Sequence, residues 1–192
     1  MSAILTTPPA QEPVTLAEAK LHLKIETGIE DDLINRLITT ARQHVEKHID
    51  KVLIEQTWLV YFDDWPGSGE IKLPVAPITA INDLRTYSDD DIATVIDPSH
   101  YYVDLAGSPQ KLVLRGSRIW LKPGRIANGI EIEVVAGYGP TAASVPAPLQ
   151  TAMLLLIAHW YENRQPDCHA TGIDPIATKL QCLLGPFKRV RL

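Results

Sequence analysis

Apolar residues recur at helical spacing near the start of the chain and again near its end, and alternate in short runs between. The segment "TLAE", Thr15 to Glu18, is a capping box: the Thr15 hydroxyl accepts from the Glu18 amide while the Glu18 carboxylate reaches back to the Thr15 amide. Apolar Leu16, Ala19, Leu21 and Leu23 follow, so a short helix ends near Lys24, before a turn around Gly28. A second helix starts at "EDDL", where carboxylates sit at the positive end of the helix dipole. Its apolar residues Leu33, Ile34, Leu37, Ile38, Ala41, Val45 and Ile49 form one greasy face over roughly 24 Å at 1.5 Å per residue. The opposite face carries Arg36, Arg42, Glu46 and Lys47.

From Val52 the period changes. "EQTWLVYF" alternates as a strand, and turn signals at "DDWPGSGE", "LPVAP", "SDDD", "DPSH", "AGSPQ", "KPGR" and "ANG" separate further short strands. These run from Ile71 to Leu73, Ile78 to Tyr87, Ala93 to Ile96, Tyr101 to Leu105, Leu112 to Leu114 and Ile130 to Val135. Such spacing predicts an antiparallel sheet or small barrel. After "AGYGPTAASVPAP" helical spacing returns from Leu149 to Asn163, with Leu154, Leu155 and Ala158 widening the stripe until the helix reads as buried nearly all round. The polar connection "RQPDCHATGID" leads to a last helix, Pro175 to Leu184, stopped by Gly185 and Pro186.

The fold class expected is α+β. Residues 1–13 form an extended arm, with order beginning at Thr15. Residues 14–51 hold the N-terminal helices, 52–140 a β-rich insert, 141–165 the long helix that completes the helical part, and 166–192 the last helix and tail.

Composition narrows the function classes. A chain of 192 residues buries enough surface to need no disulfide scaffold, and Cys168 and Cys182 show neither CxxC spacing nor a zinc-like partner set. Reduced thiols are expected. The start of the chain lacks the basic and apolar regions of a signal peptide, and "AMLLLIAHW" falls short of the ~20 residues that span a bilayer. A net charge of -5 argues against a strongly basic nucleic-acid binder.

Each candidate for chemistry has a plain structural reading beside it. His44 and His48 stand four apart on one helix face, a metal-ligand spacing, but Glu46 lies between them instead of beside one, and no third ligand is evident. "SDDD", with Asp89, Asp90 and Asp91, lacks the glycine and distal glutamate of a calcium loop and reads as a solvated hairpin tip. "AGYG" lacks the lysine of a phosphate loop and reads as a turn leaving the last strand. In "LLLIAHWYENR" hydrocarbon runs into His159, Trp160, Tyr161, Glu162, Asn163 and Arg164. His159 reads as a hydrogen-bonded packing residue, and Trp160 as an anchor serving the core first and a subunit interface second. The tail "FKRVRL" combines apolar Phe187, Val190 and Leu192 with cationic Lys188, Arg189 and Arg191. This suits an extended segment docking on an acidic partner with small apolar pockets.

The succession "PVTLAEAKLHLKIE", "EDDLINRLITTARQHVEKHI", "QTWLVYFDDWP", "IKLPVAPITAI", "YYVD", "VVAGYG", "VPAPLQTAMLLLIAHWYENR" and "LLGPFKRVRL" resembles the tailed-phage head-tail connector proteins, also called adaptor or head completion proteins, from Pro13 to Leu192. The resemblance implies a structural virion protein, not an enzyme and without a cofactor. Made in the bacterial host cytoplasm, it assembles at the head-tail junction as a ring of about twelve copies beneath the portal. The implied partners are other copies of itself, the portal protein, a downstream stopper or tail protein, and genomic DNA passing through the channel without sequence-specific binding. It also assigns the tail, Phe187 to Leu192, to portal contact. Ring building needs two different complementary surfaces, for which Arg36, Arg42, Glu46, Lys47 and Trp160 are the candidates. The rival readings are a metal-dependent hydrolase using His44 and His48, and a monomeric nucleic-acid-binding module.

Overall fold

The computed structural model of the chain describes residues 1–107, 109–116, 119–164 and 175–189. Cys168, Val190, Arg191 and Leu192, and most of the connection before the last helix, lie outside the described residues. The fold is α+β, and the chain divides into two units. Of the described residues, one comprises those of Met1–Pro9 and Glu55–Tyr138, the other those of Ala10–Ile54 and Gly139–Arg189.

The helical unit is built from α1 (Leu16–Leu23), α2 (Asp31–Ile49), α3 (Ala147–Glu162) and α4 (Pro175–Leu184). The capping box forms as the sequence predicts: Thr15 Oγ1 accepts from the Glu18 amide at 3.2 Å and Glu18 Oε2 accepts from the Thr15 amide at 2.8 Å. Lys24 then turns left-handed, with φ 58°, and ends α1. Asp50 does the same for α2, with φ 57°. The core of this unit is the stripe Ile34, Ile38, Ala41, Val45 and Ile49 of α2 against Leu149, Ala152, Met153, Leu156 and Ile157 of α3. Two expectations change here. Leu21 is 81% exposed, and only Ala19 of α1 is buried. Helix α3 is not buried all round, because Leu154, Leu155 and Ala158 are half-exposed on its far side.

The β unit holds two antiparallel sheets. The larger has the order β1-β2-β8-β4-β5, from β1 (Ser2–Thr7), β2 (Gln56–Phe62), β8 (Ile130–Ala136), β4 (Ile78–Tyr87) and β5 (Ala93–Val95). The smaller has the order β3-β7-β6, from β3 (Glu70–Lys72), β7 (Lys111–Leu114) and β6 (Tyr101–Asp104). Alternation is strict at the centre of the large sheet. Val60, Ile132 and Leu84 lie opposite one another in a buried row, while the next row, Tyr61, Glu131 and Arg85, points to the other face. The expected free arm is corrected over Ser2–Thr7. These residues pair with β2 as an edge strand, Ser2 opposite Tyr61 and Ile4 opposite Leu59, so order begins well before Thr15.

Candidate assembly surfaces

The charged face expected on α2 divides in two. Arg36 and Lys47 are exposed. Arg42 is not: it is 7% exposed, its Nε donates to Glu12 Oε2 at 2.7 Å and its Nη1 to Glu46 Oε2 at 2.9 Å. Glu46 Oε1 also accepts the Leu53 amide at 3.0 Å, and Thr39 donates to Glu12 at 3.0 Å. Burial pushes the Glu46 carboxyl above the usual glutamate range, against the Leu53 amide and Arg42, which favour the anion. Arg42 and Glu46 therefore fasten the segment before α1 and the segment after α2 to that helix. They are unavailable as a docking face because their polar atoms are already committed inward.

The polar knot after α3 is an internal clasp. The Tyr161 hydroxyl donates to Glu30 Oε2, and Arg164 Nη2 donates to Glu30 Oε1 at 2.6 Å while its guanidinium lies over the Tyr161 ring at 4.6 Å. Glu30 stands at the N-cap position of α2, its carboxylate turned to Tyr161 and Arg164, so the clasp ties the end of α3 to that point. The Tyr161 bond first and Arg164 second hold the Glu30 carboxyl below its ordinary range. His159 receives the end of the helix, its carbonyl accepting from the Asn163 amide at 2.9 Å. Trp160 meets His44 edge to face, ring centres 5.6 Å apart. Both rings belong to the helical unit, and Trp160 is half-buried. Among the described residues no three His, Cys, Asp or Glu side chains gather in a metal-binding group. The described helices include none long and apolar enough to cross a membrane.

The tail differs from the projecting segment expected. Gly185–Phe187 forms a 3-10 turn, and the Arg189 amide donates to the Ile49 carbonyl at 2.8 Å. The Arg189 side chain is 7% exposed and its Nη1 lies 3.9 Å from Asp50. Arg189 is thus an anchor at the C-terminal end of α2, where a cation is favoured by the helix dipole. Phe187 is half-exposed and Lys188 exposed. Leu16, Ala17, Lys20 and Leu21 of α1, with Ile25 just beyond it, line an open groove.

In the β unit the face of the large sheet opposite the Val60 row is polar at its centre, where Glu131 is buried and Asp83, Arg85 and Tyr87 are half-buried. Arg85 bonds Asp83 at 2.5 Å and Glu131 at 3.0 Å, Tyr87 donates to Glu131 at 3.1 Å, and Asn82 donates to Glu133 at 2.9 Å. Its rims are apolar, with Ile4 55% and Val95 60% exposed. Beside the β4–β5 hairpin, the loop after β7 is fixed by Trp65 stacked on Trp120 at 4.2 Å, with Trp65 Nε1 donating to the Leu121 carbonyl at 2.7 Å. Gly124 donates its amide to the Tyr87 carbonyl at 2.8 Å, and a Cβ there would overlap the Asp89 backbone. Arg125 pairs with Asp91 and stacks on Tyr87, leaving Asp89 and Asp90 as the solvated tip. Sequence reasoning placed no functional residue on these rims. The available signal was "SAILTT", an apolar run without a charge ahead of Pro8 and Pro9.

Residues 13–104 match the family described as phage gp6-like head-tail connector protein, the family that the sequence resembles. No curated protein matches the chain. Among solved structures, a chain of the "virion of native gene transfer agent (GTA) particle" aligns with TM-score 0.83 at 22% identity, covering 100% of this chain and 97% of that one. A chain of the "neck of empty GTA particle computed with C6 symmetry" aligns with TM-score 0.82 at 23% identity, with the same coverage. The "neck of native GTA particle computed with C12 symmetry" gives 0.81 at 21%, again over 100% of this chain and 97% of that one. At these identities the likeness is one of fold.

Proposed function

Taking as premise that residues 13–104 carry the head-tail connector family's pattern, we propose that the protein is a structural virion component that joins head to tail as a ring of copies beneath the portal. The family match is the observation that carries this reading. The fold it shares with chains of the GTA virion and neck is the second support. The ring extends the channel for genomic DNA without reading its sequence, and its other face meets a stopper or tail protein. No enzymatic step is assigned to it. His44 is engaged with Trp160, and the hydrolase reading has no third ligand among the described residues.

Portal contact is assigned to Phe187, Lys188, Val190, Arg191 and Leu192. Arg189 leaves that set because its cation is turned inward. On α2, Arg36 and Lys47 remain as surface charges for a neighbouring copy, without Arg42 and Glu46.

Pull-down by the portal tests the docking. The full chain is expected to be retained, more weakly as salt rises because exposed cations are screened over about 8 Å at physiological ionic strength. A chain ending at Arg189 and the Phe187→Ala variant are expected to be retained less. Equal retention of all three would remove the tail from the portal contact.

A further inference from the structure

Among the described residues the large sheet ends on both sides in a strand paired along one edge only, and every residue of β1 and of β5 is exposed. An open edge presents a row of backbone N–H and C=O groups able to take another strand, and proteins that avoid this place charges, prolines or bulges there. Here β1 reads "SAILTT" and β5 reads "ATV", with no charged residue and no proline in either, and the register shift of β1 lies between Leu5 and Thr7, beyond the regularly paired Ser2, Ala3 and Ile4.

The registers relate the two edges. Ile4 lies opposite Leu59, Tyr61 opposite Glu131, Glu131 opposite Arg85, and Arg85 opposite Val95. Residues directly opposite share a face, and so do residues two apart on a strand, so Ile4 and Val95 point to the same side of the sheet. That side is charged at its centre, through Arg85, Asp83 and Glu131, and carries exposed aliphatic side chains at its two rims. The arrangement is complementary to itself only when one rim meets the other.

All four pairings within the sheet are antiparallel. Five strands of alternating direction leave the outermost two running the same way. Copies related by a rotation about an axis along the strands can therefore join β5 of one to β1 of the next in a parallel ladder. Such a contact is head-to-tail, the type that closes into a ring.

We propose that the ring contact is a sheet-edge contact, in which β5 of one copy pairs with β1 of a second copy and Val95 packs beside the neighbour's Ile4. The proposal rests on the ring reading above and names its interface. Exposed Ile92 and Ile126, adjoining the paired Asp91 and Arg125 at the β5 edge, add apolar area to the same contact.

The test is sedimentation velocity of the full chain over a concentration series, alone and with portal rings, on variants whose fold is verified by circular dichroism and urea unfolding. Ile4→Lys and Val95→Glu should each raise the concentration for half-assembly at least about tenfold, since each buries an unpaired charge at the edge. The double variant Ile4→Lys/Val95→Glu should recover most of that loss, because the lysine of one copy then faces the glutamate of the next. Leu21→Lys and Ile29→Lys, exposed aliphatic positions of the helical unit, should leave assembly unchanged. Unaltered assembly in both single edge variants overturns the proposal, and so does failure of the double variant to recover. A wild-type chain that binds portal without associating with itself also overturns the edge contact, while leaving portal docking intact.

Discussion

Arg42 and Glu12, thirty residues apart in sequence, meet at 2.7 Å beside Glu46, and this pairing turns a residue that helical spacing places on the wet side of α2 into a fastening of the fold. Arg42→Glu would set a third carboxylate against two, with most of the group out of water. A loss of about 3 kcal/mol or more in urea unfolding is expected, the scale for breaking a buried pair. Lys47→Glu, at an exposed position of the same helix, should change stability by no more than about 0.5 kcal/mol. Equal stabilities for the two variants would refute the fastening.

The capping box gives a pH signature. The Thr15 backbone amide first, and its hydroxyl second, hold the Glu18 carboxyl below the usual glutamate range. A depressed folded-state pKa contributes stability that is present above the unfolded value and is lost as pH falls through the folded one. Glu46 has the opposite sign. Its raised pKa contributes stability below the unfolded value that is lost as pH rises through the folded one. Carboxyl NMR titration should thus find Glu18 below and Glu46 above the ordinary midpoint. Thr15→Ala should cost about 1 kcal/mol and move the Glu18 midpoint upward.

The clasp after α3 is read through the same nuclei. Tyr161→Phe removes the donor that contributes most to the low Glu30 pKa, so the Glu30 midpoint should rise while Arg164 still holds it partly down. Amides at the end of α3 should exchange faster in this variant. A Glu30 midpoint identical in the variant and the parent would show that the phenol does not stabilise the carboxylate.

Gly124 is required by space. Its amide bonds the Tyr87 carbonyl and a Cβ would overlap the Asp89 backbone, so Gly124→Ala must push the loop away from the hairpin. A cost of about 1–3 kcal/mol is expected, with loss of the Arg125–Asp91 pair. Thermal unfolding compared with Gly116→Ala, where a Cβ meets nothing but φ is 62°, separates crowding from backbone strain.

His44 and His48 offer a check on the absence of metal chemistry. Replacing both by Gln should leave assembly and the fold in place, with at most about 1.5 kcal/mol lost from the edge-to-face contact of His44 with Trp160. Stoichiometric metal retained by the parent and lost by the variant would overturn the structural reading.

Most of the elements were legible in the sequence, because capping chemistry, the two periods and proline stops act over a few residues. Thr15 and Glu18 start α1, Gly185 and Pro186 lie just beyond the end of α4, and Ile78–Tyr87 forms the strand that its alternation predicts. The order of motifs also carried the family resemblance. Only the tertiary structure decided which side chains are committed inward. Arg42, Glu46 and Arg189 carry the composition of a solvated face or tail, yet Arg42 and Arg189 find partners far away in the chain, Glu12 and Ile49, and Glu46 turns back onto the Leu53 amide beyond the end of its own helix. The pairing of Ser2–Thr7 with β2 was equally beyond local reading, since an extended arm and an edge strand share one backbone conformation and differ only in whether a neighbouring strand is there to bond. The relation of Ile4 to Val95 arises from register summed across five strands, a long-range quantity that no window of sequence contains.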